Sequence, residues 1–108
     1  MKYEKERYQI MADIVKAMSH PTRMYIVDEL NIGEKCVRDL TEMIGDDIST
    51  VSKHLSKLKS AGIVKSEKRG NCVYYQLMTP CVMSFFNCVI NVIEKKNDLG
   101  KVTCACEQ

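Results

Sequence analysis

The sequence predicts a mainly α-helical domain that carries one small β-hairpin. Three observations indicate this fold class. Apolar residues recur at three- and four-residue steps in five segments, two β-rich runs flank a glycine-containing turn at residues 69–71, and 108 residues is the length of one domain. We expect the folded domain to span residues 1–96 and a flexible, cysteine-containing tail to span residues 97–108.

A proline break separates the first two helices. The segment from Tyr3 to Met18 places apolar residues on one side and Lys and Glu on the other. A proline at the first helical position then opens a second helix, from Pro21 to about Leu30. We interpret His20 as a residue that flanks this helix rather than a ligand, and Arg23 as a surface charge.

Two short helices joined by a tight turn follow. The third helix is expected to begin at Lys35 or Cys36 and to end near Ile44, with residues 45–47 forming the turn. Because that three-residue turn contains glycine, the third and fourth helices have the pattern of a helix-turn-helix. In this motif the second helix enters the major groove of DNA.

The fourth helix, residues 47–62, has one apolar side and one unusual polar side. Asp47 is its expected N-cap and Gly62 its expected C-cap. The apolar residues, expected to face a core, are Ile48, Val51, Leu55 and Leu58. The polar side contains hydroxyls and lysines and no carboxylate: Ser49, Thr50, Ser52, Lys53, Ser56 and Lys57. Since such groups donate hydrogen bonds to phosphate oxygens and base edges, this side predicts a DNA-reading surface.

A β-hairpin with a basic tip is expected directly after this helix. Residues 63–68 and 72–77 are the two predicted strands, and residues 69–71 are the turn. Lys68 and Arg69 lie at the tip, so the hairpin is interpreted as a wing along the phosphate backbone or minor groove. The complete prediction is a winged helix-turn-helix of order α-α-α-α-β-β-α.

The charge distribution agrees with a polyanionic partner. Residues 48–71 contain six basic residues and one acidic residue, a net charge of +5, so the rest of the chain carries −3 of the total of +2. The sequence shows no signal peptide and no apolar run long enough for a membrane span. Six cysteines without a secretory signal therefore predict reduced thiols in the cytoplasm.

The last predicted helix, from Thr79-Pro80 to about Lys96, is apolar on more than one face. A helix of this kind must be buried on more than one side. In so short a chain, a second copy is the simplest cover, and we expect a homodimer through this helix, with the first helix joining it.

Five motifs occur in order between about residues 10 and 93: Ser19-His-Pro-Thr-Arg23, Val37-Arg-Asp-Leu40, Thr50-Val-Ser-Lys-His-Leu-Ser-Lys-Leu58, Ala61-Gly-Ile-Val64 and Gly70-Asn-Cys-Val-Tyr-Tyr-Gln-Leu77. Together they resemble the ArsR-type (ArsR/SmtB) winged-helix repressors. The resemblance implies a non-enzymatic homodimer that binds an inverted-repeat operator and releases it when an inducer binds. It also adds His54 to the DNA-contacting residues, although helical periodicity does not place His54 on that face.

Two sensor sites of the family can be compared with this chain. A zinc site with Asp/His pairs on the last helix has no counterpart, because the corresponding positions are Thr79, Cys81, Val92 and Lys95. A soft-ion site resembling Cys-Val-Cys-Asp-Leu reads Cys36-Val-Arg-Asp-Leu40 here, with one cysteine remaining. Trivalent arsenic prefers about three thiolates. We expect Cys104 and Cys106 of the tail to complete a site with Cys36.

The expected inducers are arsenite, antimonite, cadmium or lead, and no cofactor is expected to be needed for folding. Cys81 and Cys88 are alternative sensor thiols, seven residues apart on one helix face. They leave open a second hypothesis, a repressor that senses oxidants or reactive sulfur by pairing Cys36 with Cys81 or Cys88. A third hypothesis is a small thiol enzyme that uses Cys36 with His20 or His54, for which the sequence offers no oxyanion or substrate feature.

Overall fold

The computed structural model describes the backbone of residues 4–103 and the side chains of residues 4–97. Within this range the helices and strands follow the predicted order, with one additional short strand. They are α1 (Lys5–Met18), α2 (Pro21–Ile32), β1 (Lys35–Cys36), α3 (Val37–Ile44), α4 (Ile48–Ser60), β2 (Val64–Arg69), β3 (Cys72–Leu77) and α5 (Val82–Thr103). The mainly helical, winged helix-turn-helix prediction is confirmed.

The additional strand corrects the predicted start of the third helix. The sheet has the antiparallel order β1-β3-β2, in which β2 and β3 form the predicted hairpin. Lys35 and Cys36 pair with Tyr75 and Tyr74 of β3, so both residues belong to a strand and α3 begins only at Val37. A two-residue strand shows no alternating pattern, and its pairing partner is distant in sequence, so periodicity could not reveal it.

The core lies where α2, α3 and α4 pack against the hairpin. Its fully buried side chains are Ile26, Val27, Leu40, Val51, Leu55, Leu58 and Ile63. Three of the four apolar residues predicted for the inner face of α4 are among them. Ile48 is the exception, with 52% of its surface exposed, because it stands in the first turn of α4 beside the exposed turn 45–47.

The end of α4 follows the predicted glycine stop. Gly62 has φ +83°, a conformation that glycine adopts without steric cost. Its N–H donates to the carbonyl of Lys59 at 3.0 Å, and the N–H of Ile63 donates to the carbonyl of Leu58 at 3.0 Å. This Schellman pattern satisfies the last carbonyls and brings buried Leu58 and Ile63 together. It thereby sets the direction in which the chain enters β2.

The last helix differs from its predicted limits at both ends. Residues 79–81 form a turn, and α5 begins at Val82 rather than at Thr79-Pro80. It then continues past the predicted end near Lys96 to Thr103, since residues 97–103 contain no proline to stop it. The first part of the predicted tail is thus helical, and residues 104–108 lie outside the described range. No helix in that range is long and apolar enough to cross a membrane.

Helices α1 and α5 leave large apolar side chains uncovered in the single chain. Among their described side chains, only Met18 of α1 and Phe86 of α5 are buried. The exposed ones are Tyr8, Ile10, Met11, Ile14, Val15, Phe85, Ile90, Val92 and Ile93. An apolar groove of about 320 Å³ runs between α2 and α5, where Met24 and Tyr25 face Phe86, Ile90 and Ile93.

Candidate nucleic-acid interface

The first turn of α4 is organised by the Asp47 carboxylate. Its Oδ1 accepts the backbone N–H of Thr50 at 2.8 Å and the hydroxyl of Ser49 at 2.8 Å. These hydrogen bonds hold the pKa of Asp47 below its ordinary value, with the Thr50 amide as the largest cause. The predicted N-cap is therefore confirmed, and the cap satisfies one of the free amides at the start of the helix.

The polar side of α4 is largely exposed. Ser49, Lys53, Ser56 and Lys57 are exposed, and Thr50 and Ser52 are half-buried at its margin. In the described part of the chain, the only ion pairs are made by Arg69, so neither Lys53 nor Lys57 has a carboxylate partner there. This side can therefore donate hydrogen bonds and positive charge to a polyanion without first breaking an internal ion pair.

His54 occupies a different position from the one that the family resemblance implies. Its ring is half-buried, and its Nδ1 accepts the Nε–H of Arg23 at 3.0 Å. The ring centroid lies 4.5 Å from that of His20. Burial, followed by the nearby His20 and Arg23, lowers the pKa of His54. The side chain thus joins α4 to the start of α2, as the helical periodicity of α4 indicates.

Arg23 is a connecting residue rather than the surface charge that the sequence predicts. Besides its bond to His54, it donates from Nη1 to the carbonyl of Ala17 at 3.2 Å, which links three helices. His20 is the N-cap of α2, and its Nδ1 accepts the N–H of Thr22 at 3.0 Å, so the helix-flanking interpretation is confirmed. The signal that could have revealed the cluster is the position of His54 outside the polar side of α4.

One of the two cations at the wing tip is already engaged in contacts within the protein. Gly70 turns the hairpin with φ +62°. Arg69 forms a two-pronged ion pair with Glu34, from the loop before β1, and donates to Glu67 at 2.8 Å. Its guanidinium also lies over the ring of Tyr74, 4.7 Å from the centroid. Lys68 beside it is exposed and has no ion-pair partner in the described range.

These contacts change the electrostatics of the tip. The pKa of Glu34 is lowered, mainly by its hydrogen bond to Arg69, and the pKa of Arg69 is raised by its bonds to Glu34 and Glu67. Sequence reasoning missed Glu34 and Tyr74. Nothing in the local pattern indicated Glu34, because the contact joins residues 35 positions apart.

The described cysteines differ in how deeply their side chains are buried. Cys36 is 6% exposed and is the N-cap of α3, where its Sγ accepts the N–H of Asp39 at 3.4 Å. Cys72 is half-buried, whereas Cys81 and Cys88 are exposed in the single chain. Cys104 and Cys106 lie outside the described residues. Within the described range, no three His, Cys, Asp or Glu residues form a group that could hold a metal ion.

Comparison with known proteins identifies similar regulators. Residues 20–66 match the family model described as bacterial regulatory protein, arsR family. The transcriptional repressor SdpR of Bacillus subtilis is 34% identical over 90 residues, which cover 82% of this chain and all of SdpR. The arsenical resistance operon repressor of Staphylococcus xylosus is 33% identical over 93% of this chain and 91% of its own length.

A solved structure supports the same relationship at the level of the fold. It is the homodimeric winged helix-turn-helix DNA-binding domain of a possible ArsR-family transcriptional regulator from Mycobacterium bovis. It superimposes with a TM-score of 0.74 and 27% identity, covering 88% of each chain. These matches are DNA-binding transcription regulators, so the thiol-enzyme hypothesis is excluded.

Proposed function

The chain belongs to the arsR family of bacterial regulatory proteins, and we propose that it binds an inverted-repeat operator as a homodimer and releases it when its thiolates bind a soft ion. As a member of this family it is a transcriptional repressor. The observation that carries the DNA-binding proposal is the exposed, carboxylate-free side of α4.

The proposed DNA contacts come from α4 and the wing. Exposed Ser49, Lys53, Ser56 and Lys57 would meet base edges and phosphates in the major groove, with Thr50 and Ser52 at the margin. From the wing, Lys68 is proposed to contact phosphates directly. Arg69 would contact phosphates after its guanidinium releases the Glu34 carboxylate. His54 would not touch DNA and would instead position α4 through its hydrogen bond with Arg23.

The homodimer is supported by the uncovered apolar surfaces of α1 and α5. A second copy would bury the apolar side of α1 that carries Met11 and Val15 and the exposed apolar residues of α5, together with the groove between α2 and α5. A two-fold dimer presents two copies of α4, which read half-sites about one DNA turn apart. This arrangement explains why an inverted repeat is the proposed operator.

The proposed inducers are arsenite, antimonite, cadmium or lead, bound by Cys36 with Cys104 and Cys106. A similar protein is named as an arsenical resistance repressor. Cys36 also stands at a sensitive position, because its Sγ caps α3 while its backbone pairs with Tyr74 of the wing. An ion that took the sulfur as a ligand would compete with the Asp39 N–H and would displace the start of the helix-turn-helix. A coupling of about 1–3 kcal/mol would lower DNA affinity roughly 5- to 150-fold.

A redox or reactive-sulfur sensor is the second candidate. Cys81 and Cys88 are exposed in the single chain, whereas Cys36 is buried, so an oxidant would reach the first two thiols more easily. In that case a persulfide on Cys81 or Cys88, instead of an ion, would alter the dimer surface around α5.

The deciding experiment measures fluorescence anisotropy of the reduced protein on its own promoter DNA, titrated in parallel with arsenite, cadmium, zinc and a persulfide donor. Release by arsenite or cadmium, with no release by zinc, supports the soft-ion site. Cys104→Ser combined with Cys106→Ser should then abolish release and leave DNA binding intact, whereas the matched change Cys72→Ser should alter neither. Release by the sulfur donor alone, reversed by a reductant, would favour the second candidate.

A further inference from the structure

A groove between α1 and the C-terminal half of α4 has the chemistry of a small-molecule site. Its volume is about 670 Å³, within the range of about 300–1,000 Å³ typical of ligand sites. The floor is apolar, and three cations surround it. The residues that the argument uses are Ile10, Ile14, Lys16, Ala17, Arg23 and Lys57.

The cations of this groove are available to an anion. Neither Lys16 nor Lys57 has an ion-pair partner in the described range. Arg23 uses Nε and one N–H of Nη1 for His54 and Ala17, which leaves further guanidinium donors. The single carboxylate of the lining, Asp13, already accepts a hydrogen bond from Gln9 at 3.0 Å. The lining therefore contains three positively charged side chains and one negatively charged side chain, a net charge of +2.

The apolar floor selects the kind of anion. Ile10 is 60% exposed and Ile14 is 38% exposed, so both present uncovered hydrocarbon to the groove. A DNA phosphate would satisfy the cations but would leave this hydrocarbon in water. A carboxylate attached to a hydrocarbon body would satisfy both halves of the lining.

The groove is separate from the proposed dimer surface. Tyr8, Met11 and Val15 form one stripe of α1 at three- and four-residue spacing, and Ile10, Ile14 and Ala17 form the neighbouring stripe. The second stripe faces Lys57 and Ala61 of α4, which leaves the first for the partner copy. A ligand in the groove therefore need not compete with dimerisation.

We propose that this groove binds a small organic carboxylate with a hydrocarbon body, as an effector site distinct from the cysteines. Lys57 lies both in the groove and on the DNA-reading side of α4. A bound carboxylate would draw its ammonium away from DNA and weaken operator binding. This consequence rests on the proposed DNA contact of Lys57, whereas binding of the carboxylate does not.

The first test uses the full chain without DNA, with octanoate as the probe. Isoleucine methyl NMR signals should shift saturably for Ile10 and Ile14, whereas octanol and acetate, which each lack one half of the probe, should bind more weakly. Lys16→Gln should weaken octanoate binding about 2- to 5-fold, as expected for one exposed ion pair, and the matched change Lys5→Gln on α1 should not. Absence of saturable shifts, or octanol binding as tightly as octanoate, overturns the proposal.

The second test adds operator DNA. Octanoate should raise the operator Kd of the natural chain and of Lys5→Gln, with a smaller effect on Lys16→Gln. Saturable octanoate binding with an unchanged operator Kd would uphold the site and contradict the role of Lys57. A different outcome would overturn the proposal: the natural chain does not bind octanoate, and Lys16→Gln binds the operator more weakly than the natural chain. That result would assign the groove to the DNA interface.

Discussion

Arg69 and His54 are predicted DNA-contacting residues whose polar atoms are already engaged inside the protein. Arg69 bonds to Glu34 and Glu67, and His54 accepts from Arg23. Each engagement joins elements that are distant in sequence. The effect of substituting these residues should therefore depend on their partners as much as on DNA.

Glu34→Gln is expected to strengthen operator binding. The change removes a carboxylate from the wing tip and frees the Arg69 guanidinium for a phosphate. Because the pair is exposed, the gain should be modest, about 2- to 5-fold in Kd. One new phosphate contact per subunit should also steepen the plot of log Kd against log salt, by about 1.8 for the dimer.

The measurement is anisotropy on operator DNA at several salt concentrations. Glu42→Gln on α3 is the matched control, since Glu42 is also exposed and the change removes the same charge. Equal affinity and slope in the natural chain and Glu34→Gln would show that Arg69 does not exchange Glu34 for DNA.

The pKa of His54 predicts a loss of stability in mild acid. Since folding lowers this pKa below its ordinary value near 6.5, the folded protein binds the proton less readily than the unfolded chain. The stabilising contribution of neutral His54 is thus complete above about pH 6.5 and is lost as the pH falls through the lowered value. Protonation of Nδ1 would also remove the acceptor that Arg23 uses.

The variant His54→Asn keeps an acceptor near the Nδ1 position but does not titrate. Urea unfolding at about pH 7.5 and 5.5 should show a smaller loss of unfolding free energy in the variant than in the natural chain. Lys59→Ala on the same helix serves as the control and should keep the natural pH dependence. An identical loss in His54→Asn would exclude His54 as the titrating group.

The α4 helix as a whole predicts a charge-dependent affinity. Lys53→Ala combined with Lys57→Ala should weaken operator binding by about tenfold or more, since each lost phosphate contact costs on the order of 1 kcal/mol. The log–log slope of the salt dependence should flatten by about 1.8 per subunit, which is about 3.6 for the dimer. The same titration of Lys5→Ala with Lys96→Ala, which removes equal charge from other helices, should show little change. Unchanged affinity and slope in the α4 variant would remove α4 from the DNA interface.

Elements whose signals are local could be predicted from the sequence. The Asp47 cap, the Gly62 stop and the burial of Val51, Leu55 and Leu58 all depend on residues within a few positions of one another. The same holds for the exposed polar side of α4. This is why the order of the helices and the hairpin, and the proposed DNA surface, could be predicted from the spacing and the type of nearby residues.

Features that depend on distant partners could not be predicted in this way. Strand β1 exists only because β3 pairs with it, and Arg69 meets Glu34 only after the hairpin has packed beside the loop. The end of α5 was misplaced for a different reason. Residues 97–103 have little amphipathic pattern and include Gly100, yet they contain no proline, and the helix continues through them to Thr103.

At the scale of the molecule, the uncovered faces of α1 and α5 predict that a single charge in them separates the dimer. Ile93→Asp should yield a monomer by light scattering, because the side chain lines the α2–α5 groove and is exposed in the single chain. Loss of the second half-site contact should weaken operator binding by about 100-fold or more. Ile32→Asp, at an equally apolar exposed position outside the groove, should remain dimeric. A dimeric Ile93→Asp would place the interface elsewhere.

The pairing of Cys36 with Tyr74 has a consequence for the reactivity of the buried thiol. This contact closes a long loop that contains α3, α4 and β2, and we therefore expect the reading helix and the wing to open as one cooperative unit. Because Cys36 is only 6% exposed, we expect a reagent in solution to reach its sulfur mainly when this region opens. The rate at which the Cys36 thiol reacts should therefore report how often α4 and the wing open locally. Tight binding of α4 and the wing to DNA should slow this reaction.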